Sequence, residues 1–171
     1  NISLIGRFAS FVFVKSKTII WSTMVLDFFS TFFSSVSALF PIFAKDILHV
    51  GPQGLGLMYA APSIGAVLAG FIIAHLGTLS KQGKILMVSI VFFALGTIIF
   101  GLSKSFILSL LALFVVGAGD SVSTIIRNTV RQLATPNYIR GRMTSINMIF
   151  FMGGPQLGEF QSGLMAAYIG A

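Results

Sequence analysis

The chain has 171 residues, of which 56% are hydrophobic and only 9% charged, and it carries a formal net charge of +7. Soluble domains hold about 25% charged residues, and so few charges cannot cover the surface of a soluble domain of this size. The composition excludes an ordinary soluble enzyme and places the chain in a bilayer. There is no Cys, which removes disulfides, thiolate metal sites and Cys nucleophiles. The eleven Lys and Arg are spread between long apolar runs, so the positive charge reads as membrane topology and not as a nucleic-acid footprint.

Residues 1–17 are apolar but broken by Arg7 and closed by Lys15 and Lys17. They read as a cytoplasmic linker or a helix lying along the inner interface. Residues 18–171 read as the transmembrane domain. Five runs have the roughly 20 apolar residues that a spanning helix needs: Thr18–Phe43, Gln53–Leu76, Ile85–Leu102, Phe106–Ile126 and Thr144–Gly170. They are too long, and too poor in alternation, for barrel strands. Gly51-Pro52, Gly77 with Gly83, and Thr135-Pro136-Asn137 break the chain between them.

Arg7, Lys15, Lys17, Lys81, Lys84, Arg127, Arg131, Arg140 and Arg142 fall on one side of this topology, and only Lys45 and Lys104 on the other. That excess marks the first side, with the start of the chain, as cytoplasmic. The chain starts at Asn1 and its five spans leave the C-terminal end outside. It is therefore expected to be a fragment whose last helix is missing.

An internal repeat links the spans. PSIGAVLAGFIIAHLG (62–77) aligns without gaps on PQLGEFQSGLMAAYIG (155–170), placing Pro62, Gly65, Gly70, Ala74 and Gly77 on Pro155, Gly158, Gly163, Ala167 and Gly170. The same offset places Asp27, Ser30 and Thr31 on Asp120, Ser123 and Thr124. The paired spans run in opposite directions, as in the inverted repeats of transporters. Small residues also recur every fourth position in these spans, the spacing that lets helices approach closely in lipid. Gly65, Gly70, Gly154, Gly158 and Gly163 are accordingly expected to be packing residues.

The polar groups inside the membrane carry the functional expectations. The first span bears Thr23, Asp27, Ser30, Thr31 and Ser34 as one polar stripe. An ionised carboxylate at the midplane costs roughly 2.5–3.5 kcal/mol, and no Lys or Arg is expected at its depth within the chain. Asp27 is therefore expected to be protonated, to face water, or to pair with something outside the chain. Thr23, Ser30, Thr31 and Ser34 are expected to line a cavity.

Glu159, just after Gly153-Gly154-Pro155, is the second candidate for proton coupling or substrate contact. Asp120, Thr124, Arg127 and Arg131 share one face of the fourth span and its extension. Asp120, Arg127 and Arg142 are candidates for a cytoplasmic gate, whereas Arg131 and Arg140 read as topological anchors. His49 and His75 are isolated, so no metal is expected. No phosphate-cradling loop is present, so no ATP hydrolysis and no cofactor are expected either.

The stretches LDFFSTFFSSVSALFPIFAKDIL, GPQGLGLMYAAPSIGAVLAG and RNTVRQLATPNYIRGRMTSINMIFFMGGPQLGE resemble the C-terminal half of major facilitator superfamily transporters. The nearest branch is that of enterobactin-exporter-like and drug-efflux-like proteins. Arg140-Gly141-Arg142 followed by GGPxLGE is the most specific part. One departure stands out: the family's inner-loop motif Gly-x-x-x-Asp-Arg-x-Gly falls on Gly70, Ala74, His75 and Gly77, so its acid and arginine are absent.

The resemblance implies an all-α membrane protein: five transmembrane helices of an inverted-repeat six-helix half-bundle, the major facilitator fold as a fragment. The first, second, fourth and fifth spans then line a central cavity, and the third lies outside. It implies proton-coupled export of a small molecule, siderophore- or drug-like, by alternating access across a bacterial inner membrane, without enzymatic activity. The partners expected are that substrate, protons, the lipid bilayer and a missing N-terminal six-helix half, and not nucleic acid. The alternatives are a non-transporting scaffold or degenerate half, and a lipid flippase of the same fold.

Overall fold

The computed structural model describes residues 18–33, 37–77 and 81–169. The interfacial segment expected over 1–17 lies outside the described residues, as do Ser34 and Gly170. Five long helices account for most of the chain: α1 (Thr18–Phe33), α2 (Pro52–Leu76), α3 (Gln82–Leu102), α4 (Phe106–Ala134) and α5 (Arg140–Ile169). Among the described residues, α2, α3 and α4 are long and apolar enough to cross a hydrocarbon core, and α1 contributes the shorter apolar stretch Ile20–Phe29. α5 has the length, at 30 residues, but a more polar composition.

Three boundaries differ from the sequence expectation. In place of a regular span to Phe43, α1 ends at Phe33, and Ser37–Ile47 winds through a 3-10 turn, a short α-turn and a π-turn. Pro41 has no N–H to give the preceding turn. The widened turn that follows pairs Leu48 N–H with the Phe43 carbonyl at 2.8 Å and Val50 N–H with that of Ala44 at 2.7 Å. At the other end, α4 runs two turns past the expected Ile126, and α5 starts at Arg140 and not at Thr144. Both extensions are polar, and an apolar run stops being visible where Arg and Asn begin.

The chain packs as two compact units. In the first, α1 lies with the end of α4 from Arg127 and with α5 as far as Glu159. Its small core is Ile20, Met24 and Met143, with Trp21, Ala134 and Ile146 against it. The corner between α4 and α5 is tied by hydrogen bonds. The Thr135 hydroxyl donates to the Arg131 carbonyl at 2.7 Å, and the Arg140 guanidinium donates to the Gln132 and Thr135 carbonyls at 3.3 and 3.5 Å. Arg140, read as a topological anchor, thus also caps the last carbonyls of α4, where a cation is favoured.

The second unit holds the turns after α1, then α2, α3, α4 up to Ile126, and the end of α5. Its core gathers Phe40, Phe43, Met58, Phe100 and Leu113, with Phe43 stacked on Phe100 at a centroid distance of 4.7 Å. Backbone contact holds its helices together. A Cβ at Gly65 would overlap the Phe114 carbonyl, and one at Gly117 would overlap the Pro62 carbonyl. On the other side of α4, a Cβ at Gly119 would stand 2.8 Å from the Ser89 carbonyl oxygen, and one at Gly96 would stand 2.8 Å from Val116. Val67, Phe71, Leu102 and Ile107 are exposed, which suits hydrocarbon and not water.

The expected packing glycines divide. Gly65, Gly154 and Gly158 are buried. Gly70 is half-buried, and a Cβ there would lie 3.9 Å from the Ser121 hydroxyl. Gly163 is exposed with nothing near it among the described residues. Pro62 and Pro155 both lie inside helices, and Gly65 and Gly158 are both buried.

Candidate functional site

The site belongs to the first unit and begins with Asp27 on α1, which is fully buried. Its helix gives it no polar company from Thr23, whose hydroxyl is spent on the Ile20 carbonyl at 2.9 Å. Two arginines four residues apart on α4, and so on one face of it, reach it instead. Arg127 places a guanidinium nitrogen 3.0 Å from Asp27 Oδ1. Arg131 donates from two nitrogens to Asp27 Oδ2 at 3.2 and 3.3 Å. Arg131 also donates to the side-chain oxygens of Asn128, at 2.8 Å, and of Asn147 on α5. Both arginines are about 1% exposed.

This arrangement overturns the expectation that no cation lies at the depth of Asp27. The carboxylate is not left to water or to a partner outside the chain, since two arginines of the same chain hold it. Arg131 is corrected from a topological anchor to a buried member of the site. Helix length explains the error. At 29 residues α4 is longer than the roughly 20 that a hydrocarbon core needs, so its last turns need not be loop, and Arg127 and Arg131 are carried on them to Asp27.

Asp27, Arg127 and Arg131 form one buried charged cluster. Removing one partner of a buried pair costs about 3–5 kcal/mol, because the other is left uncompensated. Asn128 and Asn147 turn their side-chain oxygens to Arg131. A lysine has no planar fork to bond three neighbours at once. Arg131→Lys is therefore expected to destabilise the protein by about 1–3 kcal/mol, read as a lower thermal midpoint in detergent. An unchanged midpoint would mean that the contacts to the two asparagines contribute nothing.

The other candidates lie as follows. Thr23 is buried with its hydroxyl committed within α1, so it does not offer that group to a cavity. Asp120 is half-buried on the part of α4 that belongs to the second unit, and Glu159 is exposed on α5. The side chains of Ser30, Thr31 and Arg142 lie outside the described residues. Arg127, expected at a gate, and Asp27, expected at a coupling site, thus belong to one cluster. Sequence reasoning misses Asn128, Arg131 and Asn147. The available signal is the Arg127–Arg131 spacing on a helix that need not end where its apolar run does.

Helices long and apolar enough to cross a membrane, three among the described residues, mark a multi-pass membrane protein. Residues 5–171 match the family described as "Transmembrane secretion effector", and the chain belongs to that family, within the major facilitator superfamily. Among curated proteins it is similar to the enterobactin exporter EntS of Citrobacter koseri, 29% identical over 161 residues that cover 93% of this chain and 38% of that protein. The EntS proteins of Salmonella typhi and of Escherichia coli O81 are 28% and 27% identical, over 95% and 93% of the chain. The chain thus spans 38–39% of the length of these relatives. No solved structure gives a significant match.

Proposed function

We propose that the chain forms most of the C-terminal half of a secondary transporter that exports a small molecule by proton-coupled alternating access. The membrane is a bacterial inner membrane, and the N-terminal end of the chain faces the cytoplasm. The substrate class is siderophore- or drug-like, by analogy with the exporters to which the chain is similar. An N-terminal six-helix half completes the cavity.

The observation that carries this reading is the carboxylate of Asp27 buried between Arg127 and Arg131. Protonating Asp27 removes the negative charge that both buried guanidinium groups contact, which favours a conformation in which the cluster is open. Swinging a two-state equilibrium from 1:99 to 99:1 takes about 5.5 kcal/mol, and uncompensating a buried charge supplies about 3–5 kcal/mol. One proton is therefore enough to drive most of such a swing. Glu159, exposed on α5, is the second proposed coupling or substrate group, and Asp120, Arg127 and Arg142 form the proposed cytoplasmic gate.

The test is efflux from energised cells or inverted vesicles carrying the full-length protein, scanned over cationic dyes and catecholate siderophores, with and without an uncoupler. Efflux that collapses on uncoupling is the expected result. Efflux indifferent to the proton gradient would sink proton coupling, and movement of no compound would sink the transport reading.

A further inference from the structure

A cavity of about 260 Å³ opens between the end of α4 and the start of α5, lined by Asn128, Arg131, Gln132 and Asn147 together with Met148 and Phe151. Every one of these residues belongs to the first unit. Arg131 is the one of them that pairs with Asp27, which leaves the rest of the wall without an assigned task.

The chemistry of that wall follows from the way its two asparagines must face. A guanidinium can only donate, so Asn128 and Asn147, both bonded to Arg131, turn their side-chain oxygens to it. What each carboxamide has left is its amino group, with two N–H donors, and no described residue accepts from either. Both asparagines are half-buried, so a molecule in the cavity can reach them. Arg131 itself is closed to such a molecule: it is about 1% exposed, and its Nε is sealed from solvent. Arg131 thus orients the two carboxamides, and they make the contact.

Uncharged, oriented donors suit an uncharged acceptor. An ion loses far more on leaving water than neutral amide groups return, whereas a carbonyl oxygen has two lone pairs for two donors. Met148 and Phe151 supply an apolar side for the body that bears it. A volume below the ~300 Å³ at which pockets for drug-sized molecules begin takes one polar group and the ring or short chain attached to it.

We infer that this cavity binds a neutral carbonyl group, the C=O of an ester, amide or ketone, through the amide N–H groups of Asn128 and Asn147, with its apolar body against Met148 and Phe151. The carbonyl comes from a soluble solute or from the ester linkage of a membrane lipid. That such a solute is the exported one rests on the transport reading above, whereas the binding itself does not.

The experiment is equilibrium dialysis, without any gradient, of the full-length protein in dodecyl maltoside free of phospholipid. Acetophenone is the probe, and isopropenylbenzene is its counterpart of the same shape with a methylene group in place of the carbonyl oxygen. The informative substitutions are Asn147→Asp and, separately, Asn128→Asp. Aspartate keeps the volume and an oxygen for Arg131, so the fold is spared, but an ionised carboxylate has no N–H to give. Each variant is expected to bind acetophenone about 5- to 100-fold more weakly than the parent, the cost of leaving a buried acceptor without its donor, and to bind isopropenylbenzene as the parent does. If one variant fails to fold, the other carries the test. A side chain that merely supports the helices would weaken both probes alike or neither.

Dioleoylphosphatidylcholine and its diether analogue, which lacks both carbonyls, separate the two sources. Displacement of acetophenone by the ester lipid alone assigns the site to a lipid, and displacement by neither assigns it to a soluble solute. No binding of acetophenone to the parent, variants that bind it undiminished, parallel loss of both probes, or equal displacement by both lipids would overturn the inference. Because binding is read with no gradient present, its failure leaves the uncoupler test untouched, and the reverse holds as well.

Discussion

Asp27→Asn in the full-length protein is expected to abolish gradient-driven efflux and to lower stability by about 3–5 kcal/mol. Asn fills nearly the same volume, so packing is spared and the loss is electrostatic. The variant keeps both buried guanidinium groups and removes the carboxylate that both contact. The Asp27→Asn, Arg131→Gln double variant removes one of the two cations as well. It is therefore expected to recover much of the thermal stability of the parent in detergent while remaining inactive in coupled efflux, because the carboxylate is gone. Recovery of stability without activity separates the coupling role of Asp27 from a structural one. Unchanged efflux in the single variant would remove Asp27 from the mechanism.

The second large effect is steric. In α4, the position that a Cβ would take at Gly117 lies within 2.5 Å of the carbonyl carbon and Cα of Pro62 in α2. These are backbone atoms and cannot rotate away as a side chain does, so the two helices must separate. Ordinary overpacking costs about 1–3 kcal/mol, and Gly117→Leu, with a branched side chain forced between two backbones, is expected at or above the top of that range. In lipid, close packing is what holds helices together, so the loss is expected to show as a protein that no longer survives solubilisation. Gly56→Ala in α2 is the matched control. A Cβ there meets nothing within 4 Å, and replacing glycine in a helix interior is worth up to about 1 kcal/mol of propensity. If the Gly117 variant proved as stable as the Gly56 variant, the α2–α4 contact described above would be wrong.

The two helices most legible in the sequence are α2 and α3, whose ends fall where Gly51-Pro52, Gly77 and Ser103 interrupt a uniform apolar run. α1 and α4 are less legible, for opposite reasons. After α1 the apolar run continues through Phe43, yet Pro41 reshapes the backbone within it. At the end of α4 the backbone stays helical while the side chains turn polar, because Arg127 and Arg131 find a buried carboxylate. Hydropathy records transfer to lipid and is blind to a partner that arrives from another helix. The same blindness hides the site. Asp27 stands out as an anomaly, a carboxylate inside a Phe-rich helix, but its counter-ions read as loop charges. Nothing in a single sequence marks Asn128 and Asn147 as companions of Arg131, since their part depends on how α5 is set against α4.

The corner between α4 and α5 has a mechanical consequence. Thr135 closes the end of α4 on the Arg131 carbonyl, Arg140 at the start of α5 donates back to the Gln132 and Thr135 carbonyls, and Pro136 prevents the joint from winding on into further helix. From Arg140 to Pro155, within the same unit, α5 runs about 22 Å at 1.5 Å per residue. A rotation of a few degrees at the corner therefore displaces that end by about 1–2 Å, an amount that packed side chains register directly.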